Sequence, residues 1–341
     1  MNNLTKREME AYCGDLSQLF GIQECVLQGG KAKGVKAYRI HNGCGLEMLV
    51  LVDKFFTIAE LRIKGDNIGL LTKSGICGPE FFQEEGTRGF LRTFEAGFLT
   101  TCGLTYMGTP GIDEGENNGL HGVISNTPAT EDYCKITWEE DIPWIEFGGM
   151  AKEGHLFGPN LTINRRVRIS TNENKMMIHD VVENHGFEAT PLMLLYHFNL
   201  GYPMLDATCK IYTNMTNIEV RDEGSKKGLA KAQTFEEPVV GYEEEVFFRT
   251  GEGEETEAFM AVYNETLNRT ATITFNPQQL PILNEWRNPR AGDYGLGIEP
   301  GTCHVGGRIR AKQEDALMYI EAGEKKEFDL EIEFTKGCYK G

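Results

Sequence analysis

The chain has 341 residues, 40 of them glycine, with 40% apolar and 10% aromatic residues, and a formal net charge of −17 at a pI near 5.0. That balance excludes nucleic acid as an expected partner, because phosphate contacts require clustered Lys and Arg, and it disfavours anionic membrane surfaces. The longest apolar runs, such as Leu46 to Val52, are far too short to span a bilayer as a helix.

Residues 4 to 20 are predicted to be helical: Leu4, Tyr12, Leu16, Leu19 and Phe20 form an apolar stripe and Gly21 follows as a stop signal. The residues from Met1 to Glu8 carry no apolar signal core. The nine cysteines are odd in number and none has CxxC spacing. Together these predict free thiols and a cytoplasmic location. Strands are then predicted over 46–52, 161–169, 175–182, 191–199, 259–263, 271–275, 318–321 and 327–334. The charged stretch from Arg221 to Glu257, with Glu243-Glu244-Glu245, reads as solvated loops and hairpin edges. Short strands broken by Gly, Asn and Pro turns, with little helix between them, predict an all-β, antiparallel sandwich. With no internal repeat and no low-complexity linker, a single domain over 1–341 is expected, led by a helical segment over 1–22.

Three blocks carry chemistry. Gly119-Leu120-His121-Gly122 puts an imidazole where the backbone can approach a ligand closely. Tyr196-His197-Phe198-Asn199-Leu200-Gly201-Tyr202-Pro203 ends an apolar strand on a His, with Asn199 and Tyr202 as neighbouring sugar contacts. Gly297-Ile298-Glu299-Pro300-Gly301 follows a segment in which Trp286 is a candidate stacking surface and Arg287 and Arg290 are candidate donors to hydroxyls or an anionic group. Two imidazoles and a carboxylate are suited to moving protons on and off a sugar near neutral pH. No HxH or HxxxH spacing occurs and the cysteines are scattered, so neither a metal nor another cofactor is expected.

These blocks resemble the galactose mutarotase-like superfamily, the aldose 1-epimerases, and more closely a less-characterised branch labelled an aldose 1-epimerase family or a domain of unknown function. The resemblance spans roughly residues 90 to 305 and includes the Thr101-Cys102-Gly103-Leu104 run. It implies an antiparallel β-supersandwich and acid–base ring opening of a monosaccharide or modified monosaccharide. Glu299 would take the anomeric proton, His197 would protonate the ring oxygen, and His121 would stabilise developing charge. Arg62 loosely takes the place of the superfamily's Asn-Arg motif. The chain departs from well-studied mutarotases in having Tyr196 directly before His197 and Pro300-Gly301 after Glu299. Those departures leave the sugar open, and with it an anionic substituent for which Arg62, Arg166, Arg287 and Arg290 are the clamp candidates. A non-catalytic sugar-binding or sensing protein, an isomerase acting at another carbon and a polysaccharide-active enzyme are the alternatives. A homodimer is left open.

Overall fold

The computed structural model describes residues 4–253 and 255–340. Met1, Asn2 and Asn3 of the expected N-terminal segment, Glu254 of the charged stretch and Gly341 lie outside the described residues. Among the described residues, an eleven-stranded and an eight-stranded antiparallel sheet face one another across a shared core, with three separate two-stranded ladders beside them. The cause is legible in the strands. Lys175–Asn184 alternates strictly between buried and partly exposed residues, so one face is committed to the core. Phe98 meets Phe334 and Tyr38 meets Phe147 across the gap between the sheets.

The N-terminal segment departs from expectation. Its α-helix covers only Lys6–Tyr12, closed at its start by a reciprocal Thr5–Glu8 capping box. Cys13 is extended, and Asp15 caps a separate 3-10 turn over Leu16–Gln18 by accepting from Ser17 N. Gly21 opens the strand Gly21–Val26. Tyr12 of the expected stripe is exposed and Met9 is buried instead. The predicted strand at 191–199 divides into Thr190–Pro191 and Leu195–Leu200. The stretch 221–257 is more ordered than solvated loops: it contains the 3-10 helix Glu223–Lys231 and the strand Glu245–Thr250, whose Glu245 and Phe247 are fully buried.

In the larger sheet, Leu99–Cys102, Leu195–Leu200, Gly295–Gly301, Ile282–Asn288 and Glu245–Thr250 lie side by side in that order. All six residues of Leu195–Leu200 are buried, because both faces of the strand are covered. Tyr196, Phe198 and Leu200 belong to the inter-sheet core, and Leu195 to a second apolar cluster with Phe90, Met107, Val246 and Phe248. Tyr196 is held on the core face by donating to Asp180 Oδ2 at 2.8 Å; Arg165 grips the same carboxylate through Nε at 2.9 Å and Nη2 at 2.6 Å. This anchored network fixes the strand from below and leaves its odd-numbered side chains on the opposite face.

Candidate active site

The site lies on the outer face of the larger sheet, beside the second apolar cluster. Register pairs Leu195 with Gly301 and Phe198 with Ile298, which sets His197 opposite Glu299 on adjacent strands. His197 Nε2 is 3.1 Å from Glu299 Oε1. Neither Glu299 Oε1 nor His197 Nδ1 has a hydrogen-bond partner, although both are enclosed. The 3.1 Å approach is therefore a contact without hydrogen-bond alignment.

The strand carrying Glu299 alternates glycine on the pocket face. Leu296 and Ile298 face the core, while Gly295, Gly297 and Gly301 share the side of Glu299. A Cβ at Gly297 would come within 2.3 Å of Glu299 Oε1, so the bare backbone is what makes room for the carboxylate. On the neighbouring strand Asn284 pairs with Glu299 and donates from Nδ2 to its carbonyl at 3.2 Å.

His121 comes from a loop laced to the end of Leu99–Cys102. Its N–H donates to Gly108 O and its carbonyl accepts from Gly103 N, both at 3.1 Å. The residue is left-handed at φ +61°. That conformation costs a non-glycine residue roughly 1–2 kcal/mol and concentrates at functional sites. Gly122 must follow: a Cβ there would meet Tyr106 O at 2.3 Å. The His121 ring stands edge-on to His197 with centroids 5.8 Å apart, and its Nδ1 also has no partner.

Aromatic walls close the group. Phe94 lies 5.4 Å and Trp286 6.2 Å from the His197 ring, and Phe90 5.0 Å from His121, between centroids. A buried Lys54–Glu95 ion pair, with Lys54 Nζ also donating to Thr93 O at 2.7 Å, pins the turn that carries Phe94. Glu244, at the mouth, accepts from Trp286 Nε1 and from Arg221 Nη1, each at 2.8 Å.

Burial governs the charges. It pushes the Glu299 carboxyl well above its usual value, helped by the charge of Glu244 and opposed by Arg221. It lowers His121 to about 4, with Glu244 opposing. It also lowers His197 well below its usual value, reinforced by His121 and opposed by the Asn199 side chain.

The structure thus brings His121, His197 and Glu299 together with Asn199 and Trp286. Asn199 is fully buried, donates to His197 O at 2.9 Å, and keeps Oδ1 unpartnered. The other candidates lie elsewhere. Arg287 points to the opposite face of the sheet, wholly buried, with Nη1 2.8 Å from Glu285 Oε1 and Nε 3.7 Å from Glu245. It neutralises carboxylates there rather than facing the pocket. Arg290 is exposed past the end of its strand. Arg62 is exposed on Thr57–Ile63, opposite Glu47 and Asn67 and two strands from His197. Tyr202 is 73% exposed beyond Leu195–Leu200, its carbonyl accepting from Asn67 at 3.0 Å. Arg166 belongs to the smaller sheet, paired with His179. Phe90, Phe94, Asn284, Glu244 and Arg221 escaped sequence reading. The alternation of glycine around Glu299 was the one local signal that a strand face there is kept clear. Among the described residues, no group of three or more His, Cys, Asp or Glu is placed to hold a metal ion, and no helix is long and apolar enough to cross a membrane.

The family described as "Domain of unknown function (DUF4432)" matches residues 32–334. Among solved structures, a Klebsiella pneumoniae protein provisionally named an aldose 1-epimerase superposes with a TM-score of 0.89 at 26% identity, covering 94% of this chain and 86% of its own. A galactose mutarotase-like protein from Clostridium acetobutylicum gives 0.66 at 14% identity, covering 94% and 99%. Galactose 1-epimerase from Lactobacillus acidophilus gives 0.58 at 12% identity, covering 94% and 100%; at these two identities the likeness is one of fold. No curated protein matches the chain.

Proposed function

This chain belongs to the family described as "Domain of unknown function (DUF4432)", has a galactose mutarotase-like fold, and, we propose, is an aldose 1-epimerase that opens and recloses the ring of a monosaccharide. The observation that carries the proposal is the set of enclosed, unpartnered polar atoms on one sheet face: Nδ1 of His121, Nδ1 of His197, Oδ1 of Asn199 and Oε1 of Glu299. Orphaned polar atoms are costly in a fold's interior. A polyhydroxylated ring would supply the donors and acceptors they lack.

The chemistry follows from two groups that share one proton. In the opening half-reaction the Glu299 carboxylate takes the proton of the anomeric hydroxyl, C1–O1 becomes a carbonyl, the C1–O5 bond breaks, and imidazolium His197 gives its proton to O5. Rotation about C1–C2 presents the other carbonyl face. Closure then runs in reverse, with neutral His197 taking the O5 proton and protonated Glu299 returning one to O1. Burial raises Glu299 and lowers His197, so the shared proton rests on the carboxyl and ring opening proceeds from the tautomer in which His197 holds it. His121, held neutral by its low pKa, serves as a hydrogen-bonding group to the sugar oxygens. Trp286 and Phe94 supply the apolar walls that exclude water.

The test is magnetisation-transfer NMR of anomer exchange over aldoses, ketoses and acidic sugars, comparing wild type with Glu299→Gln and His197→Asn. Faster α/β exchange that falls by roughly 10²–10⁴-fold in each variant is the expected result. Binding of a sugar without faster exchange in the wild type would replace the enzyme by a sugar sensor or by an isomerase working at another carbon.

A further inference from the structure

Glu244 lies in a run of three glutamates that reads as a solvated edge, yet its carboxylate is shared by two partners at the mouth of the site. It accepts from Trp286 Nε1 and from Arg221 Nη1, both at 2.8 Å, and Arg221 is held from its other side by Asp222 at 2.7 Å through Nε. The local backbone sets this up. Arg221 N donates to Val246 O just after the strand Asn217–Val220, and Val246 is paired with Trp286. Arg221 follows the end of Asn217–Val220, Glu244 precedes Glu245–Thr250 and Trp286 lies on Ile282–Asn288, so the three side chains meet where neighbouring strands run together.

We propose that Glu244 is a positioning residue: held by Arg221, it fixes the Trp286 indole as the wall beside His197 and supplies a negative charge directed at the catalytic group. The proposal rests on the aldose 1-epimerase reading for its catalytic consequences, and on hydrogen-bond geometry alone for its structural one. An indole N–H needs a partner when its ring packs against an apolar pocket, and Glu244 is the acceptor this one has. Without it the ring is free to turn about its side-chain torsions, and the wall 6.2 Å from His197 is no longer held in place. The field agrees with the geometry: Glu244 favours the protonated forms of both His121 and Glu299, while Arg221 opposes it at Glu299.

The charged and titratable groups around Glu299 are His197 on the adjacent strand, His121 on its loop, Cys102 on Leu99–Cys102, and the Glu244–Arg221 pair. Farther along Glu245–Thr250, Phe248 stacks on His304 and lies beneath Arg310, and these are paired with Glu314 and Glu219. Glu244 and Arg221 are thus the pair at the mouth whose charges reach Glu299.

Two substitutions separate the roles of Glu244. Glu244→Gln keeps an acceptor for the indole and removes the charge; Glu244→Ala removes both. The chain has three tryptophans, so the Trp286 indole cross-peak in a ¹H–¹⁵N spectrum is assigned by its loss in Trp286→Phe. In Glu244→Ala we expect that peak to move upfield and broaden, with KM for the most rapidly exchanged sugar of the panel rising about tenfold, the equivalent of one hydrogen bond. In Glu244→Gln the peak and KM should stay near wild type, while the alkaline limb of the pH–rate profile, where the pair loses its proton from Glu299, moves to lower pH because Glu299 has lost a negative neighbour. An indole peak that does not move in Glu244→Ala overturns the positioning role. An unshifted alkaline limb in Glu244→Gln overturns the electrostatic one. If no sugar exchanges faster with the wild type, the epimerase reading and the electrostatic role fall together, and the indole peak still decides the positioning role.

Discussion

Gly297 and Glu299 share the pocket face of one strand, and a methyl group built on Gly297 would stand 2.3 Å from Glu299 Oε1 and 3.1 Å from Trp286 Cβ. The carboxylate occupies space that any other residue at 297 would claim. Gly297→Ala should therefore leave the fold in place and displace the carboxylate. Misplacement by about an ångström costs catalysis roughly a hundredfold. We expect anomer exchange to fall by about that factor while the melting temperature changes little. An Ala variant that exchanges anomers at the wild-type rate would remove Glu299 from the role of base.

Glu299 should cost stability as its buried carboxyl ionises. Its carboxyl is raised above 4.5 in the folded protein by burial. A raised carboxyl contributes stability that is full below the unfolded value and is lost as pH rises through the folded one. Gln cannot ionise. Glu299→Gln should therefore become progressively more stable than wild type as pH rises from the ordinary carboxylate range through the raised folded value, measured by thermal melts over that rise. A constant difference between the two proteins would show that the group is not desolvated.

His121 titrates in the opposite sense. Burial lowers it from 6.5 to about 4, so the unfolded chain takes up this proton before the folded one does. Its contribution is present above 6.5 and lost as pH falls through about 4. The His121 imidazole resonances should stay at their neutral positions down to pH of about 5, and His121→Gln should flatten the loss of stability between those two values. Titration of His121 near its ordinary value would mean that its ring is solvated.

Arg287 predicts a stability effect separated from the site. It is fully buried on the core-facing side of its strand, bonded to Glu285 and donating to Thr234 O at 2.7 Å. Removing one member of a buried ion network costs about 3–5 kcal/mol, because the remaining charges lose their partner. Arg287→Ala should lower unfolding free energy by about that amount in urea denaturation. The folded fraction should retain the sugar affinity of the wild type. A variant that is stable but does not bind sugar would restore Arg287 to the site.

The sequence by itself determined the β-rich class and several long strands, and it singled out His121, His197 and Glu299 as candidates. These are legible because alternation with period two and short Gly-flanked motifs are local properties of a chain. Strict burial alternation in Lys175–Asn184 and the apolar run before His197 needed no knowledge of partners. Only the tertiary structure decided which face each arginine takes. Arg287 sits next to Trp286 in sequence, yet the strand's pleat sends one into a nest of carboxylates and the other to the pocket. Nor could the run Glu243-Glu244-Glu245 be divided in advance. Glu244 meets Trp286 and Arg221, whereas Glu245 is wholly buried beside Arg287. A charge's role depends on what stands opposite it, and here the opposing strands come from distant parts of the chain: His197 faces Glu299 because antiparallel register places Leu195 against Gly301. Local pattern determines which residues have the chemistry, and long-range pairing determines which of them meet.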